Sequence, residues 1–260
     1  MDVDTLIYVI ELIGVISFAI SGAVVGIDKE MDMFGVLILS LFTSFGGGMM
    51  RDLFIGRDVA FFGILFEKHY VLLCAVTSLL VFFAAMIFKR WYVKHEKAVM
   101  RVNNYIDALG IGAFSVSTVR TCILYGGNVA SPFFAITMGV VASVGGGLLR
   151  DVCMRDIPFF FRKHIYAVAC LVGSSFYYVM VMYAFPNNPT AEIVCAIVGI
   201  LMVFGIRVLA TIFRWNFPKA IDFGKLRDQD SAASESEAQA LPETDEIASS
   251  EQVQEYVQNK

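Results

Sequence analysis

A chain of 260 residues that is 57% hydrophobic and only 17% charged has too few charges for a soluble domain, in which about a quarter of residues are charged. Its formal net charge of −4 is unevenly placed: residues 228–260 hold nine acids and one Lys, so the first 227 residues are mildly basic. The basic residues cluster at the ends of apolar runs and not along one stripe, which argues against nucleic-acid binding.

Runs of about 18 or more apolar residues mark membrane-spanning helices. Seven are predicted, at 5–27, 33–52, 69–89, 103–124, 132–151, 164–185 and 190–213. The N-terminus has neither a basic n-region nor a small-residue cleavage site, so the first run reads as a retained span and not a signal peptide. The second and fifth spans contain Gly46-Gly47-Gly48 and Gly145-Gly146-Gly147. The last ends at Arg214-Trp215, a pair suited to interfacial anchoring. Cys74, Cys122, Cys153, Cys170 and Cys195 sit in or beside apolar runs with no CxxC pair, so packed thiols are expected and no metal site.

Loop charges predict an orientation. Lys89, Arg90, Lys94, Lys97 and Arg101 lie between spans three and four, and Arg155, Arg162 and Lys163 between spans five and six. Lys219, Lys225 and Arg227 follow the last span. The loops after spans four and six have no Lys or Arg. The positive-inside rule then puts the N-terminus outside and the C-terminus in the cytoplasm. The loop after span two, with Arg51, Arg57 and Lys68, argues the other way. Residues 228–260 are acidic, small and polar and are expected to be a disordered cytoplasmic tail.

The chain contains an internal repeat. Residues 44–53 (SFGGGMMRDL) align with 143–152 (SVGGGLLRDV). Upstream, Gly14, Phe18 and Ser21 align with Gly110, Phe114 and Ser117. Downstream, Arg57-Asp58 aligns with Arg155-Asp156 and Lys68-His69 with Lys163-His164. Charged residues in register make this a duplication and not mere apolar periodicity. Each copy holds three spans, so the second enters the membrane from the opposite side, as in many transport proteins. The predicted fold is all-α: a first three-helix repeat (1–101), a second, inverted repeat (102–186), a seventh helix with a basic flank (187–227), and the tail (228–260).

Three successive glycines are expected to break helices two and five. Each glycine costs roughly 1 kcal/mol relative to Ala, and irregular backbone at membrane depth is tolerated only inside protein or along a water-filled cavity. A segment ending at Gly46 or Gly145 would free carbonyl oxygens carrying partial negative charge, suitable ligands for a partly dehydrated monovalent cation. The expected path residues are Thr43, Ser44, Gly46, Gly47, Gly48, Arg51 and Asp52 with Ser143, Gly145, Gly146, Gly147, Arg150 and Asp151; Ser40 also precedes the first triplet. Asp52 and Asp151 suit the start of a resumed helix, and the two Arg residues a pairing across the repeat interface. The competing reading is that the glycines serve only close helix packing.

Arg120 in span four either gates the path or snorkels at the outer end, and Asp107 faces the same choice near the inner end. Glu11 is a candidate partner for Arg120. Glu192 reads as an ordinary first-turn carboxylate. His69 and His164 read as interface anchors and not as metal ligands.

The paired GGGxxRD segments, in an inverted three-plus-three arrangement followed by a seventh helix, resemble the trimeric intracellular cation (TRIC) channel family, prokaryotic branch. The resemblance covers about residues 5–215. It implies a homotrimer in the bacterial inner membrane in which each protomer holds a pore between kinked helices two and five, passing K⁺ and Na⁺ with no cofactor. Related bacterial proteins with the same domain are described as glycine transporters, so a glycine carrier using the same site is the alternative. An enzyme is not expected, since HExxH, GxSxG and P-loop motifs are missing.

Overall fold

The computed structural model describes residues 2–56, 68–156 and 165–213. The expectations about Arg57, Asp58, Arg162, Lys163, His164, the Arg214-Trp215 anchor and the acidic tail lie outside the described residues. The chain runs α1 (Val3–Asp28), α2 (Met33–Ile55), α3 (Lys68–Ile87), a short α4 (Lys89–Lys94), α5 (Glu96–Tyr125), a 3₁₀ turn (Gly127–Ala130), α6 (Pro132–Cys153), α7 (Ile165–Val179, extended by a π-helical turn Met180–Ala184) and α8 (Pro189–Ile212). Seven helices among the described residues are long and apolar enough to cross a membrane, and the chain is a multi-pass membrane protein. The predicted spans are all present. The fourth begins earlier than expected, at Glu96 and not at residue 103, and the basic linker before it is itself largely helical.

Local chemistry explains where the helices start and stop. Asp32 caps α2, its Oδ1 accepting from the Gly35 N–H at 2.7 Å, which satisfies one of the orphan donors of the first turn. Gly56 ends α2 in the left-handed conformation, φ +73°, which costs glycine nothing. Asn188 caps α8 through Ala191 N–H at 3.1 Å, and Pro189 opens the helix, where its missing N–H is no loss.

Helix α2 packs along α6, and α1 along both α5 and α2. The contacts are reciprocal in a way that identifies a two-fold relation. A Cβ on Gly14 would meet the Phe114 ring, and one on Gly110 would meet the Phe18 ring. The two rings stack at 5.2 Å with planes 5° apart. Each repeat thus supplies a groove for the other's phenylalanine. Helix α8 lies outside this symmetry and packs on α5 and α7.

One expectation is overturned. Helices α2 and α6 run without interruption through Gly46–Gly48 and Gly145–Gly147. The reason lies at their crossing. A Cβ on Gly47 would collide with the Ala142 carbonyl oxygen, and one on Gly146 with the Thr43 carbonyl oxygen. A Cβ on Gly46 would come within 2.5 Å of Leu149, and one on Gly145 within 2.8 Å of Met50. The glycines let two backbones touch, as small residues do at close helix crossings in membranes. Continuous helices also keep the backbone hydrogen-bonded where no water is available to replace it. Asp52 and Asp151 therefore lie in the last turns of continuous helices and not at the start of resumed ones.

Candidate functional site

The glycine crossing separates two buried charge clusters built from equivalent positions of the two repeats. The first lies toward the end of the bundle where α1 begins. Glu11 on α1 accepts from Ser117 Oγ on α5 at 2.5 Å, from Tyr70 OH on α3 at 3.0 Å and from Arg51 Nη1 on α2 at 3.4 Å. Arg51 also donates Nε to its neighbour Asp52 at 2.9 Å. The second lies toward the opposite end, near Asp28. Asp107 on α5 accepts from Ser21 Oγ on α1 at 3.2 Å, from Tyr166 OH on α7 at 3.0 Å and from Arg150 Nη1 on α6 at 3.2 Å. Arg150 donates Nε to Asp151 at 3.0 Å and Nη1 to Ser21 Oγ at 2.7 Å.

The match is complete: carboxylate, arginine, arginine's acidic neighbour, tyrosine and a serine from the other repeat. Glu11 and Asp107 each stand three residues before the aligned glycines Gly14 and Gly110, so the repeat register already pairs them. The serines cross over, Ser21 serving Asp107 and Ser117 serving Glu11. One member of the second cluster has no counterpart among the described residues. Arg207 on α8 donates Nη2 to Asp107 at 3.3 Å, with its guanidinium 3.7 Å from the centre of the Tyr166 ring.

Charges inside a membrane bundle are expensive and persist only when paired or lining a wet path. Here Glu11 accepts three hydrogen bonds and Asp107 four, which offset the desolvation of the two carboxylates. A cavity of 240 Å³ opens beside the second cluster, lined by Ser21, Asn103, Asp107, Arg150, Asp151 and Tyr166 among others. Lys29 and Asp156, paired at 2.8 Å, stand at its rim. The Asp156 carboxylate raises the Lys29 ammonium's pKa above its ordinary value, because the pair favours the charged form.

The expected path residues fall at and around the crossing, but their hydroxyls are turned to backbone. Thr43 Oγ1 donates to Leu39 O at 2.7 Å, Ser40 Oγ to Val36 O at 2.8 Å, Ser44 Oγ to Val15 O at 3.2 Å and Ser143 Oγ to Val140 O at 2.9 Å. Bonding to the preceding turn, or for Ser44 to the α1 backbone, satisfies a hydroxyl that has no water to turn to. The expected pairing of Arg51 and Arg150 across the repeat interface is corrected: each finds its carboxylates within its own repeat, and only the Arg150–Ser21 bond crosses.

The Glu11–Arg120 pairing is also corrected. Glu11 belongs to Arg51, whereas Arg120 donates Nε to Glu192 and Nη2 to Asp4, both at 2.8 Å. Glu192 is therefore more than a first-turn carboxylate; it also accepts from Tyr177 OH at 3.3 Å and ties α8 to α5. The Arg120 site lies at the end of the bundle where α1 begins, away from the crossing. The His69 ring lies tilted against Tyr70, with ring centres 4.6 Å apart and planes 43° apart. Sequence reading missed Tyr70, Tyr166, Ser21 and Ser117 as site residues, although the last two were already in the repeat alignment. Arg207 was missed despite being the same signal as Arg120, a lone charge within an apolar run.

Known proteins bear on this geometry. A family model described as glycine transporter matches residues 8–86 and again 104–182. The chain is 34% identical over 168 residues to the UPF0126 inner membrane protein YadS of Escherichia coli (strain K12), covering 65% of this chain and 75% of that protein. It is 32% identical over 177 residues to a UPF0126 membrane protein of Vibrio cholerae, covering 66% and 67%. Among solved structures, it resembles a TRIC trimeric intracellular cation channel orthologue from Rhodobacter sphaeroides, with a TM-score of 0.69 and 30% identity, covering 81% of this chain and 100% of that one. It is equally similar to a prokaryotic TRIC channel determined in 0.5 M KCl, with a TM-score of 0.70 and 29% identity, covering 82% and 99%. These solved relatives are ion channels and not enzymes.

Proposed function

The chain belongs to the prokaryotic branch of the trimeric intracellular cation channel family and carries a duplicated glycine transporter domain, and we propose that it is a passive channel for the monovalent cations K⁺ and Na⁺, with one pore in each protomer of a homotrimer. The pore runs between α2 and α6, past Thr43, Ser44, Gly46–Gly48 and Arg51-Asp52 on one helix and Ser143, Gly145–Gly147 and Arg150-Asp151 on the other. The N-terminus is outside and the C-terminus cytoplasmic.

The observation that carries this reading is the pair of equivalent carboxylates, partly buried Glu11 and buried Asp107, one on each side of the glycine crossing. Intramembrane ionisable residues mark ion paths by default. With the glycine backbones in contact, the conformation is a closed one. Conduction requires α2 and α6 to part, which uncovers backbone carbonyls with no side chain in front of them, a lining suited to a cation shedding part of its water. Purified protein in planar bilayers should show unitary K⁺ currents. Bulky residues at Gly47 and Gly146 should alter them in assembled protein; unchanged flux would remove the pore from this crossing.

A second reading, a glycine carrier, is favoured by the family model's description and by the cavity that offers Asp107 and Arg150 side by side. A zwitterion needs both charges, the carboxylate for its ammonium and the guanidinium for its carboxylate. Saturable glycine uptake into liposomes without unitary currents would put this reading first.

A further inference from the structure

Lys29 and Asp156 line the rim of the cavity whose inner wall carries Asp107 and Arg150. Their side chains meet at 2.8 Å and join the end of α1 to the chain just beyond α6. Both residues are placed by the same device. The Met31 N–H donates to Gly26 O and the Glu30 N–H to Ile27 O, while the Asp156 N–H donates to Asp151 O and the Arg155 N–H to Val152 O. This doubled bonding closes each helix around a left-handed residue, a position usually held by glycine. Here Glu30 and Arg155 hold it, each at φ +56°. Residues other than glycine rarely adopt that conformation, and only one more among the described residues, Asn187, does so. Such backbone persists where its surroundings hold it, and it concentrates at working parts of a protein.

The repeat separates the ion pair from the fold that carries it. Lys29 and Tyr125 each stand fifteen residues after the aligned Gly14 and Gly110, and Arg155 and Gly56 each stand four residues after the aligned Asp151 and Asp52. At the Glu11 end the equivalent contact runs from Tyr125 OH to the Gly56 carbonyl oxygen at 3.5 Å, long for a hydrogen bond. Gly56 supplies the left-handed turn there, at φ +73°. The same span between repeats is thus made by an uncharged contact at one end and by an ion pair at the other. The Lys29 and Asp156 side chains are 41% and 54% exposed. An exposed pair adds little stability and is screened by salt, so it is a poor brace. It suits a latch, because it breaks and re-forms at little cost.

We propose that the Lys29–Asp156 pair is an ionic latch on the mouth of this cavity. Formed, it holds the ends of α1 and α6 together and restricts access to Asp107 and Arg150. Broken, it frees the end of α6 and admits ions. The consequence for conduction rests on the channel reading above; the control of access does not.

Access is measured by thiol labelling of the full chain in detergent micelles. Exposed Cys153 is replaced by Ser, which leaves only buried cysteines, and Asn103→Cys puts a reporter on the cavity wall. Asn103 is 4% exposed, and its Oδ1 has no hydrogen-bond partner among the described residues, so the substitution removes no acceptor bond there. The probe is a positively charged methanethiosulfonate. Lys29→Gln and Asp156→Asn should each speed labelling several-fold, and the swapped pair Lys29→Asp with Asp156→Lys should return it to the starting rate. A purely local field would speed a cationic probe when Lys29 is neutralised and slow it when Asp156 is, so opposite shifts overturn the proposal. So do unchanged rates, or a swapped pair as fast as the single variants. If the reporter chain does not assemble, the same variants in the otherwise native chain are compared by single-channel recording. Each single variant should then raise open probability several-fold and the swap should reverse it; an open probability indifferent to both single variants overturns the proposal. Wild-type protein that carries no current overturns the channel reading, while the labelling rates still decide the latch.

Discussion

Gly47→Ala tests the central geometric claim, that the glycine triplets are packing surfaces between continuous helices. The added Cβ would collide with the carbonyl oxygen of Ala142, a helix backbone atom that cannot rotate away. The helices must separate, and overpacking of this kind costs about 1–3 kcal/mol. Because the obstacle is backbone, the upper end applies. Against it stands the gain of about 1 kcal/mol from replacing glycine with alanine inside a helix. The net expectation is destabilisation of about 2 kcal/mol. Gly146→Ala, facing the Thr43 carbonyl oxygen, should do the same. The double variant should cost less than the two together, since the first substitution already opens the crossing that the second needs. Gly205→Ala is the control: a Cβ there meets nothing within 4 Å, so only the propensity gain of up to about 1 kcal/mol remains. Unfolding of the purified protein in mixed micelles, followed by circular dichroism over a denaturing-detergent titration, measures all four. A Gly47→Ala protein as stable as wild type, or as Gly205→Ala, would refute the close crossing.

Two further expectations concern the charged sites. Asp107→Asn leaves Arg150 and Arg207 facing a neutral side chain in the interior and should destabilise by about 3–5 kcal/mol in the same titration. Glu11→Gln should cost less, since the Glu11 side chain is 18% exposed against 6% for Asp107. At the Arg120 site, Asp4→Asn should change stability by no more than about 1 kcal/mol, because the Asp4 side chain is 80% exposed. Glu192→Gln should cost more, because it weakens acceptance from both Arg120 and Tyr177.

Much of the architecture was legible because membrane insertion imposes strong, local demands. Apolar runs long enough to span, and a repeat with charged residues in register, are properties of a string. So is the antiparallel relation of the halves, which follows from three spans per unit. The sequence also held Glu11 and Asp107 in equivalent register, three residues before Gly14 and Gly110. What it did not reveal was which arginine each would meet. Pairing within a repeat or across it depends on helix rotation and crossing, and Arg120 and Arg51 are both reachable from α1 on sequence grounds alone.

The glycine triplets mark the boundary between the two kinds of information. Composition establishes that Gly46–Gly48 and Gly145–Gly147 are weak helix formers inside spans, and the repeat establishes that they matter twice. Whether a weak segment breaks or holds depends on what lies against it. A helix that gives up backbone hydrogen bonds in the membrane interior must find replacements, and here the opposing helix offers contact without a gap. Tertiary packing alone decided that the helices run on, that the missing side chains become a meeting surface, and that Arg207, from a helix outside the repeat, joins the Asp107 cluster.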